Sequence, residues 1–412
     1  MQGSVSGGAS SRQQALQRLA AFLPYAGRTY AAKRNFDLGA GQHRFVSGLS
    51  PDIRHRLITE EEVVATVLQA HSASAAEKFI QEVCWRTYWK GWLQQHPQVW
   101  WDYVHDLQTA RDKLSTDDSL AAEVAAAERG DIGIACFDAW AKELVETGYL
   151  HNHARMWFAS IWIFTLKLPW TLGADFFYRH LLDGDPASNT LSWRWVAGLH
   201  TRGKTYLARA DNISDFTERR FNPSRDDLAS FATPLSEDRT YVRVPLQQSD
   251  PLPVSARLVL LVTEDDLSPE TWALGSAEVA GVALFKPVTC GPASSRIVRA
   301  FKIGAMADAG ARSAAHWAKP VATVTTPAEL AMFASAHNAT AAVTTRLPVG
   351  YMQEELAHWM GSEHAVGLPI LQMQRRWDEL FWPHATAGFF KLKERIPRVL
   401  EELRIAKQRS AA

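Results

Sequence analysis

Polar residues with regular spacing stand among apolar and aromatic ones between residues 151 and 189. Asn152, Arg155 and Met156 follow one another at i, i+3 and i+4, so a helix would place them on one face. An Asp-Gly-Asp run follows at 183–185. Buried polar groups need partners, and a buried arginine needs a carboxylate that stays with it. The polar groups in this stretch are therefore too many to be incidental, and they need partners.

Two further motifs also place polar residues at spacings that suit a binding site. Glu82, Trp85 and Arg86 also lie at i, i+3 and i+4, although taken alone they fit a surface Glu–Arg pair beside a core tryptophan better. The run 46–51, Val-Ser-Gly-Leu-Ser-Pro, offers hydroxyl and backbone N–H groups before a helix. Such a loop suits an anion, and it also suits a plain turn with a helix cap.

In order and spacing these motifs resemble the flavin pocket of the photolyase/cryptochrome family. The resemblance covers about residues 30 to 223 and ends at Arg-Arg-Phe-Asn-Pro, 219–223. It implies noncovalently bound FAD in an all-helical domain. Asp183 would pair with Arg155 across the isoalloxazine ring, and Ser47 and Ser50 would hold the pyrophosphate, with Val46 in place of the family's Thr. The implied cofactor-binding residues are Tyr30, Ser47, Leu49, Ser50, Arg86, Asn152, Arg155, Asp183, Asp185 and Asn189.

The resemblance also implies a substrate side and an electron path. Arg34 would contact a DNA phosphate, Glu82 would hydrogen-bond a pyrimidine base, and Trp85 would stack on that base. His153 stands where many photolyases have Arg. The substrate-binding residues would be Arg34, Glu82, Trp85, Met156 and Trp195, and the catalytic ones Glu82, Asn152, Trp193 and Trp170.

The electron path is incomplete in the sequence. Trp193 would pass an electron to the excited flavin, and Trp170, 13 residues before Asp183, would be the second relay. A third, surface tryptophan is expected near residue 117, but Asp117 occupies that position.

Composition limits the classes of protein that fit. The 412 residues are 47% hydrophobic and 21% charged, with a formal net charge of zero, so global charge does not argue for nucleic acid. No apolar run reaches the ~18 residues of a transmembrane helix. Three scattered cysteines indicate a reducing compartment without a disulfide framework. We expect a cytoplasmic monomer with no membrane contact and a disordered N-terminus, 1–12.

Hydrophobic periodicity divides the rest of the chain into two domains. Residues 13–235 show helical spacing, with helices expected at Glu61–His71, Ser74–His96, Phe137–Glu146 and His151–Leu168, Ser74 and Asp185 being expected N-caps. A polar, Pro-containing linker, 236–254, leads to a domain at 255–412. There, short apolar runs alternate with helical patterns, which predicts a Rossmann-like parallel α/β domain. The predicted strands are Arg257–Thr263, Gly281–Phe285, Val321–Thr325, Ala341–Thr344 and Pro369–Gln372.

This order is the reverse of the family's, in which the α/β domain precedes the helical one. The run Trp382–Lys391 looks like the segment that ends the family's α/β domain. A circular permutation would explain the order, and an unrelated Rossmann-like domain is the alternative.

Three functions fit these expectations. The first is a photolyase-like enzyme that uses reduced FAD and blue light to split cyclobutane pyrimidine dimers in DNA. The second is a cryptochrome-like photoreceptor without repair activity, acting on an unknown signalling partner. A ground-state flavoprotein redox activity is the third. Nothing in the sequence identifies the lesion or an antenna chromophore.

Overall fold

The structure is a computed structural model that describes residues 11–287, 290–361 and 367–405. The first half of the chain folds into helices. Among the described residues, no helix is long and apolar enough to cross a membrane. The helices of this half are α1 Arg12–Phe22, α2 Arg28–Lys33, α3 Ser50–Arg54, α4 Glu60–Ala70, α5 Ala73–Gln95, α6 Gln98–Leu114, α7 Asp118–Arg129, α8 Ala135–Thr147, α9 Asn152–Ser160, α10 Trp170–His180, α11 Pro186–Val196 and α12 Ala210–Phe216.

Local signals explain where several helices begin. Ser11 caps α1, so the helix starts inside the segment predicted to be disordered, of which residues 1–10 lie outside the described ranges. Asp185 caps α11, as predicted, with Pro186 in the first turn. The prediction of Ser74 as the cap of α5 is wrong: the side chain of Ser72 accepts from the backbone N–H of Ala75, which leaves Ser74 within the first turn.

The predicted helix His151–Leu168 is interrupted. After α9 the chain forms a π-helical turn over Ile161–Thr165, and the backbone N–H of Leu166 donates to the carbonyl of Ile161, 2.9 Å away. Such turns widen a helix locally and shift the side chains that follow. Here the turn leaves Trp162 buried, with its indole N–H donating to the carbonyl oxygen of Pro169 at 3.0 Å.

A five-stranded parallel sheet forms the core of the second half, as predicted. Its spatial order is β3-β2-β1-β4-β5. The strands are β1 Arg257–Val262, β2 Glu278–Phe285, β3 Val321–Val324, β4 Ala341–Thr345 and β5 Ile370–Met373, and the helices of this half are α13 Arg296–Trp317, α14 Pro327–Ala336, α15 Tyr351–Met360, α16 Arg376–Phe381, α17 Phe389–Lys393 and α18 Ile396–Glu402.

The central strand β1 is buried on both faces, which is why it reads as a continuous apolar run. Alternate residues point to opposite sides. Val259 and Leu261 join a cluster with α14 and α15. Leu258 and Leu260 join the cluster that continues into the helical half. One face of the sheet and the helical half therefore share a hydrophobic core.

The segment 236–254 connects the two halves along a defined path. Val244 donates its backbone N–H to the carbonyl of Gln95, at the end of α5 (2.8 Å). Asp250 then pairs with Gln372 of β5, donating to its carbonyl at 2.9 Å and accepting its N–H at 2.7 Å. The segment thus covers the edge strand β5, whose N–H and C=O groups would otherwise be open to pairing. The proposed domain boundaries and the circular permutation stay predictions.

Helices α16 and α17 and the turn between them return to the helical half and pack on α5. Trp377 donates its indole N–H to Thr87 at 2.9 Å, and Gln95 donates its amide to the carbonyl of Trp382 at 2.9 Å. At Gly91 the backbones come closest, since a Cβ there would lie 2.8 Å from Cδ1 and 3.0 Å from Cα of Trp382. The chain therefore needs glycine in the last two turns of α5, where alanine would otherwise favour the helix.

Replacing Gly91 with alanine tests this docking. We expect Gly91→Ala to lower the free energy of unfolding by about 1–3 kcal/mol, because the methyl group overpacks the contact with Trp382. Urea unfolding midpoints measure the effect. Gly388→Ala is the control, because a Cβ at Gly388 meets no atom within 4 Å. Equal stability of the two variants would contradict the close approach.

Candidate functional site

A cavity of about 600 Å³ opens between α2, α5, α9, α11 and the loops before α3 and α11. Its volume falls in the range of roughly 300–1,000 Å³ that small-molecule and cofactor sites occupy. Fifteen of the predicted site residues meet at its wall. They are Tyr30, Arg34, Ser47, Ser50, Glu82, Trp85, Arg86, Asn152, Arg155, Met156, Asp183, Asp185, Asn189, Trp193 and Trp195.

Two predicted residues do not line the cavity. The side chain of Leu49 is fully buried in the core, and its backbone N–H lies 3.3 Å from the hydroxyl oxygen of Ser47, so Leu49 supports the loop from behind. Trp170 begins α10, and its ring contacts Tyr103 at 5.5 Å. At the position expected for the third tryptophan, Asp117 caps α7 by accepting from the N–H of Leu120 at 3.0 Å.

Two arginines converge on Asp183. Arg155, on α9, lies 3.0 Å from one carboxylate oxygen, and Arg86, on α5, lies 3.8 Å from the other. Burial opposes ionisation of Asp183, but the two guanidinium groups and Ser50 outweigh it and lower its pKa. The pair predicted from the sequence is therefore present, with Arg86 as an additional partner.

Asp185 is held by cations that the sequence analysis did not assign. Lys90 lies 3.9 Å and Arg54 3.6 Å from the same carboxylate oxygen. Burial opposes ionisation here too, but Lys90, Arg54 and Arg86 lower the pKa of Asp185 to about 2. Its other oxygen accepts the N–H of Ser188 at 2.6 Å, so the charge also caps α11. Arg54 lies four residues after Ser50 on α3. That spacing was the sequence signal that could have placed Arg54 near the cofactor site.

A second wall of the cavity is aromatic and acidic. Glu82 forms an ion pair with Arg34, and burial raises the pKa of Glu82 although Arg34 opposes that shift. Trp85 stacks on Phe389 of α17 with ring centroids 3.8 Å apart and planes 12° apart. Trp195 stacks on Tyr206 at 5.8 Å. Phe389 lies in the C-terminal run noted above, but its contact with Trp85 had no sequence signal.

Trp193 lies at the cavity wall and in the core at once. Its ring contacts Phe177 at 5.1 Å and Trp162 at 6.3 Å. Trp162 was not among the predicted site residues. Trp162 is thus a ring neighbour of Trp193, whereas the ring of Trp170 contacts Tyr103.

The cavity wall presents polar atoms that still need partners. Among the residues that the structure describes, three buried atoms of the cavity lining have no hydrogen-bond partner: Arg86 Nη1, Ser188 Oγ and Trp193 Nε1. Asp185 Oδ2 accepts no hydrogen bond there either, but it has the ion-pair partners Lys90 and Arg54. Buried polar atoms are rarely left unpaired. A cation and hydroxyl groups beside a cavity of this size fit a large anionic cofactor, and the aromatic walls fit planar rings. The residues present therefore fit FAD.

The Asp183 pair provides a test of cofactor binding. We expect Asp183→Asn to weaken FAD binding at least ten-fold, because it leaves Arg155 and Arg86 without their carboxylate beside the cofactor. Titration of the apoprotein with FAD, followed by flavin fluorescence, measures the change. Asp211→Asn, which breaks an ion pair with Arg209 that is more than half exposed, is the control and should leave FAD affinity unchanged. Equal affinity of wild type and Asp183→Asn would contradict the assignment.

Comparison with known proteins agrees with this geometry. Residues 79–237 match the family model described as the FAD binding domain of DNA photolyase. The chain is 27% identical over 246 residues to a deoxyribodipyrimidine photo-lyase of Alkalihalophilus pseudofirmus, covering 60% of this chain and 46% of that protein. It is 31% identical over 179 residues to one of Streptomyces griseus, covering 40% and 38%.

Among solved structures, a bacterial class III photolyase from Agrobacterium tumefaciens is 26% identical, with a TM-score of 0.41 over 50% of this chain and 43% of that chain. The chain spans less than half the length of the two curated relatives named above. Residues 79–237 are therefore an FAD-binding domain of the DNA photolyase family, and the cofactor of this chain is FAD.

Proposed function

We propose that this chain is a light-driven flavoprotein that repairs cyclobutane pyrimidine dimers in DNA. One observation carries the proposal: Glu82, Trp85, Asn152, Met156 and Trp195 meet at the wall of the FAD cavity. A sensor of light needs the cofactor and its charge pairs, but it has no need of an acidic and aromatic wall for a base. The names of the relatives support the same activity.

The residues divide the work between cofactor and substrate. When bound, FAD supplies the light absorption and the one-electron chemistry. Arg155, Asp183, Arg86 and Asp185 hold and orient it through the ion pairs described above. Trp193 lies between the cavity and Trp162, where it can deliver an electron from the core side.

On the substrate side, Glu82 could bind a base in either of its protonation states. Because burial raises its pKa, the carboxyl group keeps its proton to a higher pH than an exposed glutamate. A protonated Glu82 donates a hydrogen bond to a pyrimidine carbonyl, and an ionised one accepts from a ring N–H. Arg34 fixes its position in either state.

The two aromatic groups would receive the extruded base. Enzymes that act on a base take it out of the helix, and stacking on an aromatic side chain returns part of that cost. Phe389 covers one face of Trp85, so it holds the indole ring at a fixed angle while Trp85 still lines the cavity. Tyr206 supports Trp195 in the same way.

A cryptochrome-like photoreceptor is the alternative, and one contact favours it. Arg34 and Glu82, the groups assigned to DNA phosphate and to a base, are paired with each other. A protein that binds no lesion would keep such a pair closed. The formal net charge of zero agrees with this alternative.

Substitutions on the substrate wall separate the two functions. If the chain repairs DNA, Trp195→Ala should weaken binding of a dimer-containing oligonucleotide roughly ten-fold, since stacking is worth ~1–3 kcal/mol per base. Glu82→Ala should lower the repair yield under blue light while FAD content stays constant. Binding titrations and loss of dimer measure the two effects.

The matched controls are Trp101→Ala and Glu77→Gln, whose side chains are exposed and do not line the cavity. Neither should change binding or yield. Wild-type protein that binds damaged and undamaged DNA equally and removes no dimer under blue light with reductant would move the assignment to the photoreceptor.

The electron path is tested by light-driven reduction of the bound flavin. Trp193→Phe should slow the loss of oxidised-flavin absorbance at least ten-fold at unchanged FAD content, because phenylalanine is much harder to oxidise than tryptophan. Trp162→Phe and Trp170→Phe identify the second relay, which is the position whose substitution also slows the reaction. Unchanged kinetics in Trp193→Phe would show that electrons enter by another route.

A further inference from the structure

Arg54, at the end of α3, spans the gap between the cofactor site and the α/β sheet. Its side chain is 2% exposed. Nε donates to the carbonyl of Gly184 at 3.0 Å and lies 3.6 Å from the carboxylate of Asp185. Nη1 donates to Asp265, which follows β1. One guanidinium group therefore joins the loop 183–185 to the carboxyl end of the central strand.

The next residue makes a parallel connection. His55 Nδ1 lies 2.6 Å from the carbonyl oxygen of Glu264, and Nε2 lies 3.3 Å from that of Leu182. Burial, followed by the charge of Arg54, lowers the pKa of His55 to about 3. The neutral ring has one N–H, and the shorter contact places it towards Glu264. Arg54 and His55 thus both bridge the end of β1 to residues 182–185.

This contact occupies the edge of the sheet where such folds bind ligands. In doubly wound sheets the ligand lies beyond the carboxyl ends of the strands, where the strand order reverses. Here that point is between β1 and β4. The cavity beside Arg54 and Asp265 measures only about 40 Å³, against roughly 300 Å³ or more for a ligand site. The two halves also pack closely at Gly350, before α15, where a Cβ would lie 2.5 Å from the ring of Pro186. The edge of the sheet is therefore filled by the helical half, and the described structure leaves no room for a ligand beside Arg54.

We propose that Asp265 is a positioning residue for the FAD site, acting through Arg54 on Gly184 and Asp185. The carboxylate of Asp265 fixes one arm of the guanidinium group, which leaves the Nε edge aimed at the loop. Without that carboxylate, Asp185 is the acidic partner left in direct ion-pair contact with the buried cation, because the nearby Glu264 is paired with Lys302. The guanidinium group would then draw Asp185 towards itself. Asp185 would then turn away from Lys90 and from the cavity. The inference depends on FAD binding alone, so it holds for a repair enzyme and for a photoreceptor.

Asp266 is the comparison residue that separates a positioning role from a general role in holding the two halves together. It is also buried, and it joins the halves through Arg56 at 3.5 Å, while Arg375 of its own half pairs with it at 2.5 Å. It makes no contact with Arg54 in the described structure. A purely structural role predicts the same consequences for loss of either carboxylate, whereas positioning predicts that only Asp265 matters for the cofactor.

The experiment compares Asp265→Asn with Asp266→Asn in the full chain. Apoprotein is titrated with FAD, the apoprotein is unfolded in urea, and visible circular dichroism of the bound flavin reports the asymmetry of its surroundings. We expect both variants to lower the urea midpoint. Asp265→Asn should also weaken FAD binding about ten-fold and change the dichroism, while Asp266→Asn keeps FAD affinity within two-fold of wild type with an unchanged spectrum.

Two further variants keep the test decisive if Asp265→Asn does not fold. Arg54→Lys retains a charge without the second nitrogen needed for bridging, so it should weaken FAD binding to a similar extent. The double variant Asp185→Asn/Asp265→Asn should bind FAD no more weakly than Asp185→Asn alone, because both act on one contact. Equal loss of FAD affinity in Asp265→Asn and Asp266→Asn, or fully additive losses in the double variant, would overturn the proposal.

Discussion

Buried charges between the helical half and the sheet must be neutralised where they lie, and the rest of the structure is arranged around that requirement. Arg56 shows it most clearly. Its side chain is 4% exposed, and it meets Glu60 at 3.1 Å, Asp266 at 3.5 Å and Asp378 at 2.7 Å. Those carboxylates come from α4, the end of β1 and α16. Removing one member of such a set typically costs several kcal/mol, because it strands a charge in the interior.

The backbone conformation of Arg56 reflects the same constraint. Arg56 has a φ of 47°, a left-handed conformation that costs a residue with a side chain about 1–3 kcal/mol. The three carboxylates hold the guanidinium group at a fixed place, so the chain must turn sharply between α3 and α4 to deliver it. Arg54 precedes that turn and Glu60 follows it. Arg54 has its own carboxylate partners, Asp185 and Asp265, which are distinct from those of Arg56.

Both halves of the chain support the wall of the cofactor cavity. α5 provides Glu82, Trp85 and Arg86 to the cavity wall, and it receives the C-terminal helices at Gly91 and, through Phe389, at Trp85 itself. The proposed wall for a base and the docking site of the C-terminal helices are thus on one helix, and they meet at Trp85. A change in the docked segment would reach Trp85 directly, through the Phe389 stack.

The sequence by itself determined the parts that depend on local periodicity. Alternation and apolar runs located all five strands, and spacing at i, i+3 and i+4 placed Glu82, Trp85 and Arg86, like Asn152, Arg155 and Met156, on cavity-facing sides of α5 and α9. These signals lie within one helix turn or one strand, so they survive without knowledge of the fold. The resemblance to the photolyase/cryptochrome family, and not the spacing, implied that Arg155 pairs with Asp183.

Only the tertiary structure decided the contacts between distant segments. Arg54 and Asp265 are 211 residues apart, and nothing in either local sequence specifies the other. The stack of Phe389 on Trp85, the choice of Ser72 over Ser74 as a cap and the π-helical turn that places Trp162 near Trp193 likewise depend on packing. Periodicity reports which face of an element is buried. It does not report what that face is buried against, and in this protein the second question fixes the charges around the cofactor.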